Sequence, residues 1–227
     1  MERNGGITMF TGLVEEIGKV MSVAKQGKSL KIKVEASKVL EGAKVGDSIA
    51  TNGVCLTAVE VGNGYFVADA MPETYERSNL KRVSQGSKVN LEKSITLSTP
   101  LGGHLVTGDV DCEGKIISKK DDGIAIVYEI EMESKYMKYI VEKGRVTIDG
   151  ASLTVVSFAD NRFKISLIPH TQHNITLGSK GEGDIVNIET DLVGKYVERM
   201  LSSYLGNNQY VDKSKLDLKF LMENGFA

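Results

Sequence analysis

Strong charge of one sign is missing from this chain. Its 28 Lys and Arg stand against 30 Asp and Glu, a net charge of −2 mixed along 227 residues. That balance disfavours a nucleic-acid or anionic-membrane surface. Long apolar runs are missing too, and no window approaches the roughly 18 consecutive apolar residues of a membrane span. Cysteine is scarce, and Cys55 and Cys112 do not read as a disulfide framework. The histidines His104, His170 and His173 come without the Cys or carboxylate spacing of a metal centre, so no metal is expected. Gly102-Gly103-His104 is too short for a phosphate-cradling loop, and no Gly-x-Ser-x-Gly elbow occurs. Generic kinase and hydrolase readings therefore lack support. Met1 to Thr8 has neither the basic nor the apolar region of a signal peptide. It reads as an extension ahead of Met9, the expected natural start of a cytoplasmic protein.

What is present is present twice. Asn52-Gly53-Val54-Cys55-Leu56-Thr57 returns as Asp149-Gly150-Ala151-Ser152-Leu153-Thr154, an offset of 154 − 57 = 97 residues. Phe66 to Thr74 returns as Phe163 to Thr171, and Val89-Asn90-Leu91-Glu92 as Val186-Asn187-Ile188-Glu189, at the same offset. Thr11-Gly12-Leu13-Val14 returns as Thr107-Gly108-Asp109-Val110 at an offset of 96. The chain is two copies of one domain. Duplication alone would preserve apolar periodicity and turn glycines. Here Thr57 and Thr154, Thr74 and Thr171, and the thiol or hydroxyl of Cys55 and Ser152 are kept as well. Buried groups of that kind need partners, so two similar polar pockets are expected, for two similar ligands or one ligand bound twice.

Leu30 to Val34, Ile124 to Ile130 and Phe163 to Ile168 alternate with period two and read as strands between Gly, Asn and Asp turns. About six short strands per copy, without long intervening helices, predict antiparallel barrels or sandwiches. A short helix is expected before each central motif. One covers Ser37 to Lys44 and ends at Gly46; the other covers Ser134 to Lys143 and ends at Gly144, by the positive φ glycine accepts. Expected boundaries are 9–98, 99–190 and 191–227. From Leu192, apolar residues at three- and four-residue steps (Val193, Tyr196, Val197, Met200, Leu201, Tyr204, Leu205) predict an amphipathic helix. It packs on its own barrel or forms an oligomer seam. The tail from Gly206, with one apolar stretch from Leu216 to Met222, is unassigned.

Cys55 alone would be a small buried hydrophobe, but its pairing with Ser152 points to a polar role. Thr57 and Thr154 lie two residues further on, hence on the same strand face, as a rim of donors and acceptors for a heterocycle edge. Lys138 on a short helix is by default a surface charge, His104 a solvated linker residue, and Asp191 an N-cap.

Several of these segments together resemble the riboflavin synthase family of the alpha-chain type. They are Met9 to Glu15 (MFTGLVE), Asn52 to Thr57, Gly102-Gly103-His104, Met137-Lys138-Tyr139-Ile140, Ile148 to Val155 (IDGASLTV) and Ile168-Pro169-His170-Thr171. The resemblance runs from Met9 to about Leu205. It implies an all-β fold of two tandem six-stranded antiparallel Greek-key barrels, with a homotrimer formed through the C-terminal helix. The implied reaction needs no cofactor: two molecules of 6,7-dimethyl-8-ribityllumazine yield riboflavin and 5-amino-6-(ribitylamino)uracil by transfer of a four-carbon unit. A reaction between two identical substrates accounts for two copies of one pocket. The alternative is a non-catalytic lumazine- or flavin-binding protein of the same fold, and an association with lumazine synthase stays open.

Carried over, the first pocket takes Gly12, Leu13, Val14, Ser48, Cys55, Leu56, Thr57, Asp69, Ala70, Met71, Pro72, Glu73 and Thr74. The second takes Gly108, Asp109, Val110, Lys138, Ser152, Leu153, Thr154, Ser166, Leu167, Ile168, Pro169, His170 and Thr171. Cys55 and Ser48 are expected near one reacting ring, with Ser152, Thr154 and Asp191 polarising the other. Phe10 is expected to pack on the ring, and the base is left open between Asp109 with a raised pKa and His104 or His170. The resemblance also marks a departure: where the family reads Gly-His-Val, this chain has Gly108-Asp109-Val110, a carboxylate with an ordinary pKa of about 3.9.

Overall fold

Alternation of apolar and polar residues produces strands throughout both halves of the chain. In the computed structural model, which describes residues 8–27, 29–206 and 222, the first half forms β1 (Glu16–Gln26), β2 (Ser29–Glu35), β3 (Ser48–Thr51), β4 (Val54–Gly62), β5 (Tyr65–Ala70) and β6 (Lys88–Lys93). The second forms β7 (Cys112–Asp122), β8 (Ala125–Glu131), β9 (Arg145–Ile148), β10 (Ala151–Ala159), β11 (Arg162–Leu167) and β12 (Ile185–Thr190). In β2, Leu30, Ile32 and Val34 are buried while Lys31 and Lys33 keep contact with solvent, because successive side chains leave a strand on opposite faces.

Each half closes into a six-stranded antiparallel barrel, paired β1-β2-β5-β4-β3-β6 and, in the same order, β7-β8-β11-β10-β9-β12. β2 lies beside β5 rather than β3, the non-local pairing of a Greek key. Even the irregularities repeat. Bulges interrupt β1 at Val20/Ser22 and β7 at Ile116/Ser118, and again β4 at Ala58/Glu60 and β10 at Val155/Ser157. Ile32, Phe66 and Leu91 fill the first barrel; Ile116, Tyr128 and Phe163 fill the second. Each such side chain contributes about 1.5–3 kcal/mol on full burial.

A pseudo-twofold axis relates the barrels, and equivalent residues meet on it. Phe10 and Val106 form an antiparallel bridge. The turns Asn52-Gly53 and Asp149-Gly150 abut, with all four residues at positive φ. A Cβ on Gly53 would come within 2.7 Å of the Gly150 nitrogen, and the converse holds. Asn90 Nδ2 donates to the Asp149 carbonyl and Asn187 Nδ2 to the Asn52 carbonyl, each at 2.8 Å. The symmetry breaks at Asp149, fully buried, whose carboxylate accepts from Lys180 Nζ at 2.5 Å and Asn79 Nδ2 at 2.7 Å. A buried charge requires such partners.

The two expected short helices are instead 3-10 turns, Lys38–Leu40 and Ser134–Tyr139. A segment this short has too few residues to offset helix nucleation, and i to i+3 bonds such as Ile140 N to Met137 O close it instead. The left-handed residue of the second is Lys143, at φ 63, not Gly144. Two helical turns were not anticipated: α1 (Pro72–Glu76) and α2 (Pro169–Asn174), each started by a proline, which fits the first turn because its missing N–H has no acceptor there.

Beyond Asp191 lies a second unit. It contains α3 (Leu192–Gly206), as the periodicity predicts, with Val193, Tyr196, Val197, Met200, Leu201 and Tyr204 exposed. The Leu205 side chain and the Leu216 to Leu221 part of the apolar tail stretch lie outside the described residues. No helix among the described residues is long and apolar enough to cross a membrane.

Candidate active site

The two Thr-Gly loops organise the site, and a glutamate holds each one. Thr11 N and Oγ1 both donate to Glu92 Oε1 at 2.7 Å, and Gly12 N donates to Oε2 at 3.0 Å. Thr107 N, Thr107 Oγ1 and Gly108 N make the same three bonds to Glu189, at 2.7, 2.9 and 3.0 Å. Burial pushes Glu92 above the ordinary carboxylate range, and its bonds to Thr11 and Gly12 oppose the rise.

Each loop then crosses to the other barrel. Ser152 N donates to the Gly12 carbonyl at 2.8 Å, and Cys55 N donates to the Gly108 carbonyl at 2.9 Å. A Cβ on Gly12 would lie 2.6 Å from Ser152 Cβ, and one on Gly108 2.6 Å from Cys55 Cβ. Val14 packs against the second core and Val110 against the first. The expected division set Gly12 to Val14 with Cys55 and Gly108 to Val110 with Ser152; the backbone bonds instead join Gly12 to Ser152 and Gly108 to Cys55, while Leu13 stays beside Ser48. The Phe10–Val106 bridge lies on the symmetry axis, so chain leaving it on either side meets the opposite copy.

Next to Cys55 in the chain, Val54 lines a cleft of about 680 Å³ with Met71, Pro72, Glu73, Thr74, Arg77, Gly108, Asp109 and Val110. Its size suits a heterocycle. Ser48 and Leu13 line a neighbouring cleft of about 650 Å³ with Thr11, Glu41 and Glu92. Burial raises the Cys55 thiol above its ordinary value, against a hydrogen bond with Ser48, and the carboxylates of Asp109 and Glu189 add to the rise. Cys55 is thus a neutral thiol here, a hydrogen-bonding group rather than a thiolate nucleophile. Asp109, the departure from the family pattern, belongs to this site.

At the other site Ser152 Oγ lies 2.7 Å from His104 Nδ1, and His104 Nε2 lies 3.3 Å from Thr147 Oγ1. His104 is not the solvated linker residue its sequence position predicts. Its N–H donates to the Thr11 carbonyl at 3.0 Å. Burial lowers its pKa, the Asp191 carboxylate opposes that, and Arg145 reinforces it. Arg145 Nη1 donates to Thr154 Oγ1 at 3.0 Å. Thr57 and Thr154 share the outer strand faces of Cys55 and Ser152, as their spacing predicts, but both are exposed rather than buried.

The expected lining residues divide between core and surface. Leu56, Ala70, Leu153 and Leu167 point into the barrel cores, on the opposite strand face from the site. Phe10 has no exposed surface and packs with Ala50, Val106 and Cys55, so it offers no open ring face. Asp69 is exposed and 3.6 Å from Lys31. Lys138 is exposed, 5.0 Å above the Tyr139 ring. Ser166, Ile168, Pro169 and His170 are exposed and Thr171 half-buried. Glu92, Glu189 and Arg145 were missed. The two glutamates had a signal, an acidic residue repeated inside an apolar strand; Arg145 had none, because its copy-one equivalent is Ser48. Among the described residues no three His, Cys, Asp or Glu side chains are placed to hold a metal ion.

A family model described as the lumazine binding domain matches residues 11–94 and again 107–191. A riboflavin synthase from Actinobacillus pleuropneumoniae is 44% identical over 218 residues, covering 96% of this chain and 100% of that protein. The chain belongs to the riboflavin synthase family. Another member, from Mycobacterium bovis, is 46% identical over 199 residues, 86% of this chain and 99% of its own. One from Schizosaccharomyces pombe is 40% identical over 203 residues, 88% and 97% respectively. The barrels are also similar to LumP complexed with 6,7-dimethyl-8-(1'-D-ribityl) lumazine, with a TM-score of 0.72 and 21% identity, covering 80% of this chain and 99% of that one. At that identity the likeness is one of fold.

Proposed function

We propose that this protein is an enzyme that converts two molecules of 6,7-dimethyl-8-ribityllumazine to riboflavin and 5-amino-6-(ribitylamino)uracil. The observation that carries this reading is the pair of sites related by the pseudo-twofold axis, each with a strand-borne thiol or hydroxyl against the opposite copy's Thr-Gly loop. A dismutation needs two such sites, and its atoms balance between the two products without an external reagent.

In this reading the 7-methyl C–H of one lumazine breaks and its electron pair enters the ring. The proton passes to neutral His104, directly or through the Ser152 hydroxyl, which gives its own proton to Nδ1 as it takes the new one. Asp191 would favour the imidazolium that results. Around Cys55, the Ser48 and Thr57 hydroxyls and the backbone of Met71 to Thr74 would orient the second lumazine. Holding two rings in reacting geometry is worth up to about 7–11 kcal/mol. The functional division is 9–98 and 99–190 as folding units, with 191–227 as the assembly segment. A homotrimer through α3 would set the Cys55 site of one subunit against the Ser152 site of its neighbour. A cytoplasmic location and an association with lumazine synthase belong to the same reading.

The test is to incubate the purified protein with the lumazine alone. Riboflavin and the uracil product in equal amounts support the dismutase. Tight binding without product would instead favour a non-catalytic lumazine-binding protein.

A further inference from the structure

The two sites use the same four register positions with different chemistry. In the first, β3 and β4 pair Ser48 with Thr57 and Ala50 with Cys55. In the second, β9 and β10 pair Arg145 with Thr154 and Thr147 with Ser152. At an offset of 97 these are equivalent residue by residue. Three of the four positions stay neutral. The fourth changes from a hydroxyl to a guanidinium. The contrast continues nearby, where Glu41, which lines the first copy's cleft, is replaced by Lys138.

The charges at the two sites differ correspondingly. Around Cys55 the carboxylates of Asp109 and Glu189 raise the thiol, and Glu73 and Arg77, ion-paired with each other at 2.9 Å, line the same cleft as Asp109. At His104, beside Ser152, Arg145 opposes a positive charge on the imidazole and Asp191 favours it, and Glu92, the counterpart of Glu189, holds the Gly12 loop that packs on Ser152. Arg145 is fixed toward the Ser152 face by its bond to Thr154, 3.0 Å long. A guanidinium keeps its charge at any working pH and carries five donors in a rigid fork.

We infer that Arg145 makes the Ser152 site the one that binds lumazine in its deprotonated form, and so decides which of the two lumazines gives up a proton. The inference rests on the proposed dismutation. Loss of the 7-methyl proton leaves an anion whose charge spreads over ring nitrogens and carbonyl oxygens, all acceptors for guanidinium N–H groups. At the Cys55 site the carboxylates disfavour that anion, leaving the other lumazine neutral and open to addition at C7. Arg145 is a positioning and electrostatic residue; the proton itself goes to His104.

The experiment follows the absorbance of 6,7-dimethyl-8-ribityllumazine bound to the full-length protein by rapid mixing across pH. Two ionisation phases are expected, the lower belonging to the Ser152 site. Arg145→Ser, an exposed replacement by the residue the first copy uses, should move only the lower phase, upward by about one unit, a tenfold weaker preference for the anion. Arg145→Lys should restore most of it. The His104 ring resonances should titrate at higher pH in Arg145→Ser than in the wild type. A lower phase unmoved in Arg145→Ser, or Arg145→Lys behaving like Arg145→Ser, would overturn the inference. Failure of the wild type to form riboflavin would sink the dismutation instead, and the two titrations would still read the Arg145 field.

Discussion

Burial holds the His104 imidazole below its ordinary value of 6.5, with Asp191 acting against the shift and Arg145 with it. A base kept neutral in this way works at lower pH, so the acid limb of kcat/KM is expected below pH 6.5 and should vanish in His104→Gln. A limb centred above 6.5 would count against His104 as the base. The same depression has a stability sign. The unfolded chain takes the proton first, so this contribution is present above 6.5 and lost as pH falls below it. Cys112 works in the opposite direction. Burial, with Asp111 and Glu133 nearby, pushes its thiol from 9.0 up to about 12. Its contribution is complete below 9.0 and lost as pH rises toward about 12. Urea midpoints measured upward from pH 9.0 should fall less steeply for Cys112→Ala than for the wild type. At this scale Cys55 and Ser152 were legible because repetition inside a strand motif marked them. Arg145 was illegible for the complementary reason: a residue that differs between copies leaves no trace in a repeat.

At the scale of elements, the two turns on the symmetry axis combine left-handed backbone with a close backbone approach. Gly53 sits at φ +78 with the Gly150 nitrogen 2.7 Å from where a Cβ would be. Gly27 sits at φ +60 with open space around it. Gly53→Ala therefore combines left-handed strain with a backbone clash, and should cost more than about 2 kcal/mol in chemical denaturation. Gly27→Ala carries the strain alone and should cost about 1 kcal/mol. Equal losses would mean that the turns can part without penalty. The strands were readable from period two because one face of each packs into a barrel. The short helices were not. Segments of three to six residues such as Lys38–Leu40 and Ser134–Tyr139 take the form their anchoring strands allow, and propensity is a weak guide over so few positions.

At the scale of the whole molecule, α3 presents Val197, Met200 and Leu201 to solvent, with 48%, 67% and 53% of their surface exposed. Contiguous apolar surface of this kind marks an interface, and the proposed assembly uses it. Val197→Glu should leave the barrels folded, convert the proposed trimer to monomer in sedimentation velocity, and reduce riboflavin formation at least tenfold if the working site spans two subunits. A monomeric variant with wild-type turnover would place both lumazines within one chain.

The sequence by itself determined the duplication, the strand content and the family, because strand periodicity and repeated motifs are local properties that a linear chain records directly. It also marked Cys55 and Ser152, through the same repetition. Only the tertiary structure decided the partnership between copies. Which barrel a Thr-Gly loop packs on depends on the bridge between Phe10 and Val106, a contact across nearly a hundred residues. Nothing in the local pattern of either loop encodes the direction of that crossing. The different surroundings of the two sites follow from it, because Asp109 is carried beside Cys55 while His104 comes to rest on Ser152.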